Sequence, residues 1–203
     1  MSRLPALLTA LAFFLPATVK DWLPGRVGDR WIYDVQVLSG DPKHPAVEEW
    51  QEEVVTTAIE ATPSGLVFKR RVRLLNNTAP GASAARWTSE SDILVRQNCL
   101  YFLNDSQGSP LPDVCFPLRL GATWGDTAQY REFWRVAGKG HQNPAEEPSS
   151  IKGVAWRLKA HLASGDDDYV WFQKGVGVVA KRTVHHGTYD EERVRLVSFV
   201  SAE

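Results

Sequence analysis

The chain has 203 residues, of which 43% are apolar and 23% charged, a globular composition that excludes disorder, collagen and coiled coil. Lys and Arg number 23 against 24 Asp and Glu, for a net charge of −1. That excludes a bulk electrostatic case for nucleic acid or an anionic membrane as partner.

Met1-Ser2-Arg3 is a short positive start, and Leu4 to Leu15 is almost wholly apolar. This pattern predicts an export signal. The run is too short to span a ~30 Å hydrocarbon core, which needs about 20 residues. Residues 1–20 are therefore expected to be a signal peptide and 21–203 a single antiparallel β domain, secreted or periplasmic, with no stable membrane insertion after cleavage. Pro16-Ala17 breaks the apolar run and offers a small residue for cleavage; Ala10-Leu11-Ala12 is the other candidate.

Strands follow one another from there, with almost no helical periodicity. The first is predicted at Trp31–Leu38. Glu49 to Leu75 reads as a hairpin around Thr62-Pro63-Ser64-Gly65, where Pro presets one dihedral and Gly is free to take positive φ. Pairing Ala61 with Leu66 sets Ile59 opposite Phe68, Thr57 opposite Arg70 and Val55 opposite Val72, gathering the apolar residues on one face. Arg70 is the exception on that face and is expected near the sheet margin. The basic run Lys69-Arg70-Arg71-Arg73 is matched by Glu48, Glu49, Glu52, Glu53 and Glu60 on the facing strand, which makes it a paired surface and not a nucleic-acid patch.

Further strands are expected at Trp87–Gln97 and Cys99–Leu103. Cys99 and Cys115 flank a dense turn signal, Asn104 to Pro110. Two short strands joined by such a loop bring the sulfurs together, and export supplies an oxidising compartment, so a Cys99–Cys115 disulfide is expected. Two free buried thiols are the alternative. Gln129–Ala137 is the next strand, followed by an irregular stretch from Gly138 to Ser150. Val154–Leu162 shows the clearest alternation: Val154, Trp156, Leu158, Ala160 and Leu162 on one face, with Arg157, Lys159 and His161 on the other. Tyr169–Gln173, Val176–Val184 and Glu192–Val200 complete the series. The fold class is all-β, a single curved antiparallel sheet (a meander, half-barrel or open barrel) with little helix outside the signal segment.

The candidate chemistry is thin. Lys174-Gly175-Val176-Gly177 lacks the downstream Gly-Lys-Ser/Thr of a phosphate loop, so its glycines mark a bulge or a close approach of backbone or ring. Asp166-Asp167-Asp168 lacks the alternating ligands, Gly and distal Glu of a calcium loop and reads as a solvated turn. His185 and His186 point to opposite faces of a strand and cannot chelate together, although one of them could join His161 or Asp168 in space. There is no Gly-x-Ser-x-Gly nucleophile elbow. No catalytic residue, metal ligand or cofactor is therefore assigned.

An eight-residue element recurs: Pro24-Gly25-Arg26-Val27-Gly28-Asp29-Arg30-Trp31 and Pro117-Leu118-Arg119-Leu120-Gly121-Ala122-Thr123-Trp124. Both read Pro-x-Arg-(Val/Leu)-Gly-x-x-Trp, a stiffened approach, a tight turn and a Trp that covers an open end of the sheet. With Trp22 before the first copy and Trp171-Phe172-Gln173-Lys174-Gly175-Val176-Gly177 near the C-terminus, the chain resembles uncharacterised exported bacterial proteins. These carry an aromatic-x-Pro-x-x-x-Gly-x-x-Trp motif and a C-terminal Lys-Gly-Val-Gly motif. The resemblance implies a curved sheet similar to lipoprotein-carrier-like half-barrels and transfers no catalytic residue. Such carriers have a helix plugging the half-barrel, and this chain shows no convincing plug helix.

Eight Trp exceed what a thin single sheet needs, and a curved sheet leaves a concave apolar face to be filled. The expected function is non-enzymatic binding of an apolar or amphipathic small molecule or lipid. The alternative is an envelope protein–protein interaction or assembly module working through strand edges or an aromatic patch. A hydrolase built on scattered acids and His161 or His185 ranks last.

Overall fold

The computed structural model describes residues 17–77, 87–103, 112–126, 132–140, 153–161, 166–185 and 190–203. Period-two alternation makes nearly all of these strand. They are β1 (Arg30–Asp41), β2 (His44–Thr62), β3 (Gly65–Asn77), β4 (Trp87–Glu90), β5 (Asp92–Arg96), β6 (Cys99–Leu103), β7 (Val114–Cys115), β8 (Thr123–Asp126), β9 (Glu132–Lys139), β10 (Ala155–His161), β11 (Asp167–Gln173), β12 (Gly177–His185) and β13 (Asp190–Val200). One helical turn, α1 (Ala17–Lys20), precedes them. The turn expected at Asn104–Pro110, most of the irregular stretch 138–150, and His186 lie outside the described residues.

All thirteen strands form one antiparallel sheet, ordered β7-β6-β5-β3-β2-β1-β13-β12-β11-β10-β9-β8, with β4 also paired to β3. The order is a meander read twice: β8 to β13 in sequence, then β1 to β7. The β1–β13 pair joins the two runs over ten registered positions. The outer strands β7 and β8 do not pair with each other, yet the indole N–H of Trp124 donates to the Asp113 carbonyl at 2.9 Å across that seam. The sheet is thus curved almost into a barrel, as the alternation predicts.

The concave face carries the main core, which includes Phe68, Ile93, Leu100, Val136, Leu158 and Phe172, all 2% exposed or less. The convex face of the β1–β7 run holds buried Glu53, with Arg30 at 3.3 Å and Arg73 also bonded to it. Lys69 pairs with Asp92. These contacts pair two members of the basic run, Lys69 and Arg73, with acids of this chain. Cys99 and Cys115 are register partners on β6 and β7 and form a disulfide closing a 16-residue separation.

The hairpin register holds from Thr62–Gly65 back to Ala58–Lys69 and then shifts, because Thr57 is bulged out of the ladder. Val54, not Val55, lies opposite Val72, and Thr56, not Thr57, lies opposite Arg70. The cause is tertiary. Thr56 is held by Asp29 and Gly28: its N–H donates to the Asp29 carbonyl at 3.0 Å, and its carbonyl accepts from the Gly28 N–H at 2.8 Å. One residue must leave the ladder to allow both bonds.

The repeated element is one local structure used twice. In the first copy the Asp29 N–H returns to the Arg26 carbonyl, and Gly28 and Asp29 bridge to Thr56 on β2. In the second the Ala122 N–H returns to the Arg119 carbonyl, and Gly121 and Ala122 bridge to Val136 on β9 in the same two-bond pattern. Gly28 has φ +96° and Gly121 φ +81°, so glycine is required at the same point of both turns. Each element thereby sets the first rung of a hairpin, β1–β2 in one copy and β8–β9 in the other.

Candidate functional site

The concavity is closed by chain that belongs to no strand. Residues 17–23 run across the concave face, and the N–H groups of Trp22 and Leu23 both donate to the Val19 carbonyl, at 3.0 and 2.9 Å. The i, i+4 spacing of Val19 and Leu23 puts both on one side of this turn, and both are buried in the main core, at 0% and 5% exposed. Trp22 stacks on Phe116 with ring centroids 5.6 Å apart and meets Trp156 edge-on at 6.4 Å. The segment thus plugs the concavity with one turn of helix inside the 1–20 stretch, and no full plug helix is present among the described residues, as expected. Val19 falls inside the 1–20 segment expected as signal, so a cut after Ala17 keeps this core residue and a cut after Lys20 removes it.

The Lys-Gly-Val-Gly segment anchors the plug. The Gly175 N–H donates to the Asp21 carbonyl at 2.7 Å, and Lys174 forms an exposed ion pair with Asp21 at 2.9 Å. Gly177 is favoured by its φ of +91°, and a Cβ there would meet Trp22 and Pro24 only in ordinary contact at 3.8 Å. β12 pairs with β13 only from Ala180 onward, so Val176 to Val178 diverges from it. The gap is filled from β1: the Trp31 indole N–H donates to the Val176 carbonyl at 2.8 Å and the Tyr33 hydroxyl to the Val178 carbonyl at 3.0 Å. The two sequence motifs thus meet at one end of the concavity.

Beneath the plug lies a small open space of about 10 Å³, bordered by Leu23, Trp31, Tyr33, Arg70, Ile93 and Phe102 among others. That is room for about one water molecule. Arg70 is the only charged residue among those that line it. It is not near a sheet margin but half-buried between Phe68 and Val72 on the concave face of β3. Its Nε donates to the Ser91 carbonyl at 2.7 Å and its Nη2 to the Ser91 hydroxyl at 2.9 Å, which ties down the break between β4 and β5. Burial pulls the guanidinium pKa down to about 10, partly offset by Tyr33 and Asp92. Burial likewise pushes the Tyr33 hydroxyl well above its usual range. Asp113, near the seam, accepts from the Phe102 N–H at 2.7 Å, and burial pushes its carboxyl up to about 6.

The Trp residues do not all share one interior. Trp22, Trp124, Trp134 and Trp156 pack on the main core and Trp31 on its neighbour. Trp171 is fully buried in a separate cluster with Tyr169 and Ala180, on the side of β11 opposite Val170 and Phe172. Trp50 bonds Glu52 through its indole N–H, and the Trp87 side chain is not among those described. His185 lies 3.0 Å from Asp166, not beside Asp168. Among the described residues no group of three or more His, Cys, Asp or Glu is placed to hold a metal. Sequence reasoning missed Leu23 and the interior position of Arg70. The first had a signal in the Val19/Leu23 spacing, the second in a lone charge on an apolar face.

No family model matches the chain, and no curated protein does. Among solved structures, an exported protein with a YmcC-like fold from Bacteroides fragilis is similar over 88% of this chain and 98% of its own, at 10% identity and a TM-score of 0.48. A lipoprotein of Parabacteroides distasonis is similar over 87% and 97%, at 10% identity and 0.40. A LolA superfamily protein of Nitrosomonas europaea is similar over 92% and 90%, at 9% identity and 0.27. None of the three supports a statement about function.

Proposed function

We propose that this is an exported, non-enzymatic protein that binds an apolar or amphipathic small molecule or lipid in the concavity of its sheet, in the periplasm or outside the cell. The observation that carries this reading is that the concave face is covered by residues 17–23 and not by sheet. Among the described residues that segment makes no strand pairing, and the Gly175–Asp21 backbone hydrogen bond and the exposed Lys174–Asp21 ion pair tie it to the β11–β12 turn. An exposed ion pair contributes about 0–1 kcal/mol, so apolar burial of Val19, Trp22 and Leu23 holds the segment down. A ligand burying similar apolar area replaces that stabilisation nearly in kind, and Leu23 of this segment is part of the border of the space of about 10 Å³. The signal is proposed to be cut after Ala17, which retains Val19.

The alternative of an envelope partner docking at a strand edge is the weaker reading, because the outermost strands β7 and β8 have two and four residues and offer little ladder for strand addition. Calorimetric titration of the full mature chain with dodecan-1-ol tests the proposal. Saturable one-to-one binding is expected; absence of binding up to the solubility limit refutes it.

A further inference from the structure

Arg70 does more than the sheet requires of it. A guanidinium presents five N–H donors in a planar fork, and the two bonds to Ser91 use Nε and Nη2 only. The nearest acid on the neighbouring strand, Asp92, is engaged elsewhere: one oxygen accepts from the Arg70 main-chain N–H and the other from the Lys69 ammonium. Among the described residues no carboxylate forms an ion pair with the Arg70 guanidinium. A positive charge facing Trp31, Tyr33, Ile93 and Phe102 without an ion-pair partner is costly. Two bonds to a serine could equally have been made by a neutral amide. The surplus is a charge in the wall of an apolar recess whose fork geometry suits two acidic oxygens.

We propose that Arg70 binds the anionic head, carboxylate or phosphate, of a single-chain amphiphile whose tail takes the place of Val19 and Leu23. This rests on the ligand-binding reading above and adds to it the chemistry of the head. Tail and head are recognised separately: Ile93, Phe102 and Phe172 contact the chain, and Arg70 selects its charged end. The Tyr33 hydroxyl, committed to the Val178 carbonyl, stays beside the guanidinium as a neutral neighbour.

The test compares ligands of equal tail on the full mature chain by calorimetry at pH 8: dodecanoate and dodecyl phosphate against dodecan-1-ol, with acetate and inorganic phosphate as heads without tails. Both anionic amphiphiles are expected to bind about tenfold or more tightly than the alcohol, the yield of one charge-assisted hydrogen bond. The free anions are expected to compete with neither. In Arg70→Gln the ratio of anion to alcohol affinity collapses. Arg70→Lys, which keeps the charge and loses the fork, retains part of it. The ligand comparison needs no variant, so it stands even if Arg70→Gln folds poorly. Equal affinity of wild type for alcohol and anions overturns this inference and leaves the apolar site intact. A preference that survives Arg70→Gln overturns it as well. Tight binding of inorganic phosphate alone makes this a free-anion site and overturns the amphiphile. Failure of every tailed ligand overturns both readings.

Discussion

Replacing Leu23 by Ala separates a plug from a wall. Leu23 is 5% exposed, packs in the main core and borders the recess. Large-to-small changes of this kind cost about 2–5 kcal/mol. The lower part of that range applies, because Leu23 already stands beside a space of about 10 Å³ and on a segment with no strand pairing to transmit strain. Urea denaturation should therefore show a loss of about 2–3 kcal/mol. If residues 17–23 occupy the ligand's place, the same loss acts on the closed arrangement alone. At about 1.4 kcal/mol per tenfold, the affinity for dodecan-1-ol rises about tenfold or more, until the open arrangement dominates and the gain saturates. Calorimetry on the wild type and Leu23→Ala reads the difference. A variant that loses stability and also binds dodecan-1-ol more weakly would make Leu23 part of the binding wall and refute displacement.

Three further outcomes follow from the geometry. Reducing the Cys99–Cys115 bridge, or replacing both residues by Ser, should lower the unfolding free energy by about 3 kcal/mol for a loop of 16 residues, read from urea curves with and without reductant; an unchanged midpoint would contradict this. Because the folded Asp113 carboxyl is raised to about 6 from 3.8, the native chain keeps a proton that the unfolded chain has released. Stability from this group is whole below about pH 4 and lost as pH rises through about 6. Asp113→Asn, which keeps an acceptor for Phe102, should gain about 2 kcal/mol relative to wild type between about pH 4 and pH 7; parallel curves would refute the assignment. If the chain is exported as proposed, intact mass should place its mature N-terminus at Thr18, and a mature chain beginning at Asp21 would mean that Val19 is not part of the working core.

Much of the sheet was legible because alternation is a local signal. Cys99–Leu103 forms a strand with the predicted bounds, and Trp156, Leu158 and Ala160 share the inward face as their spacing requires. The hairpin register was readable only as far as Ala58, since the Thr57 bulge is imposed by Gly28 and Asp29, nearly thirty residues away. β7 was legible as the short strand that carries Cys115, but the bounds of β7 and β8 were not. Two and four residues carry no period, and it is Trp124 and the Asp113 carbonyl that fix the seam. Arg70 was assigned to the margin on the rule that charges avoid interiors. That rule fails where Ser91 supplies bonds that let the charge stay. The plug was hidden because Val19 and Leu23 follow an apolar run that reads as a signal, and one turn of helix is too short for a periodicity argument.

Ligand entry as proposed requires residues 17–23 to leave the concave face. Hydrogen exchange at the Trp22 and Leu23 amides, both bonded to the Val19 carbonyl, reports this directly in the full mature chain with and without saturating dodecan-1-ol. Protection at these two amides should fall on binding while that of the β1–β13 ladder is unchanged or rises. Saturable binding with both amides as protected as before would contradict the account.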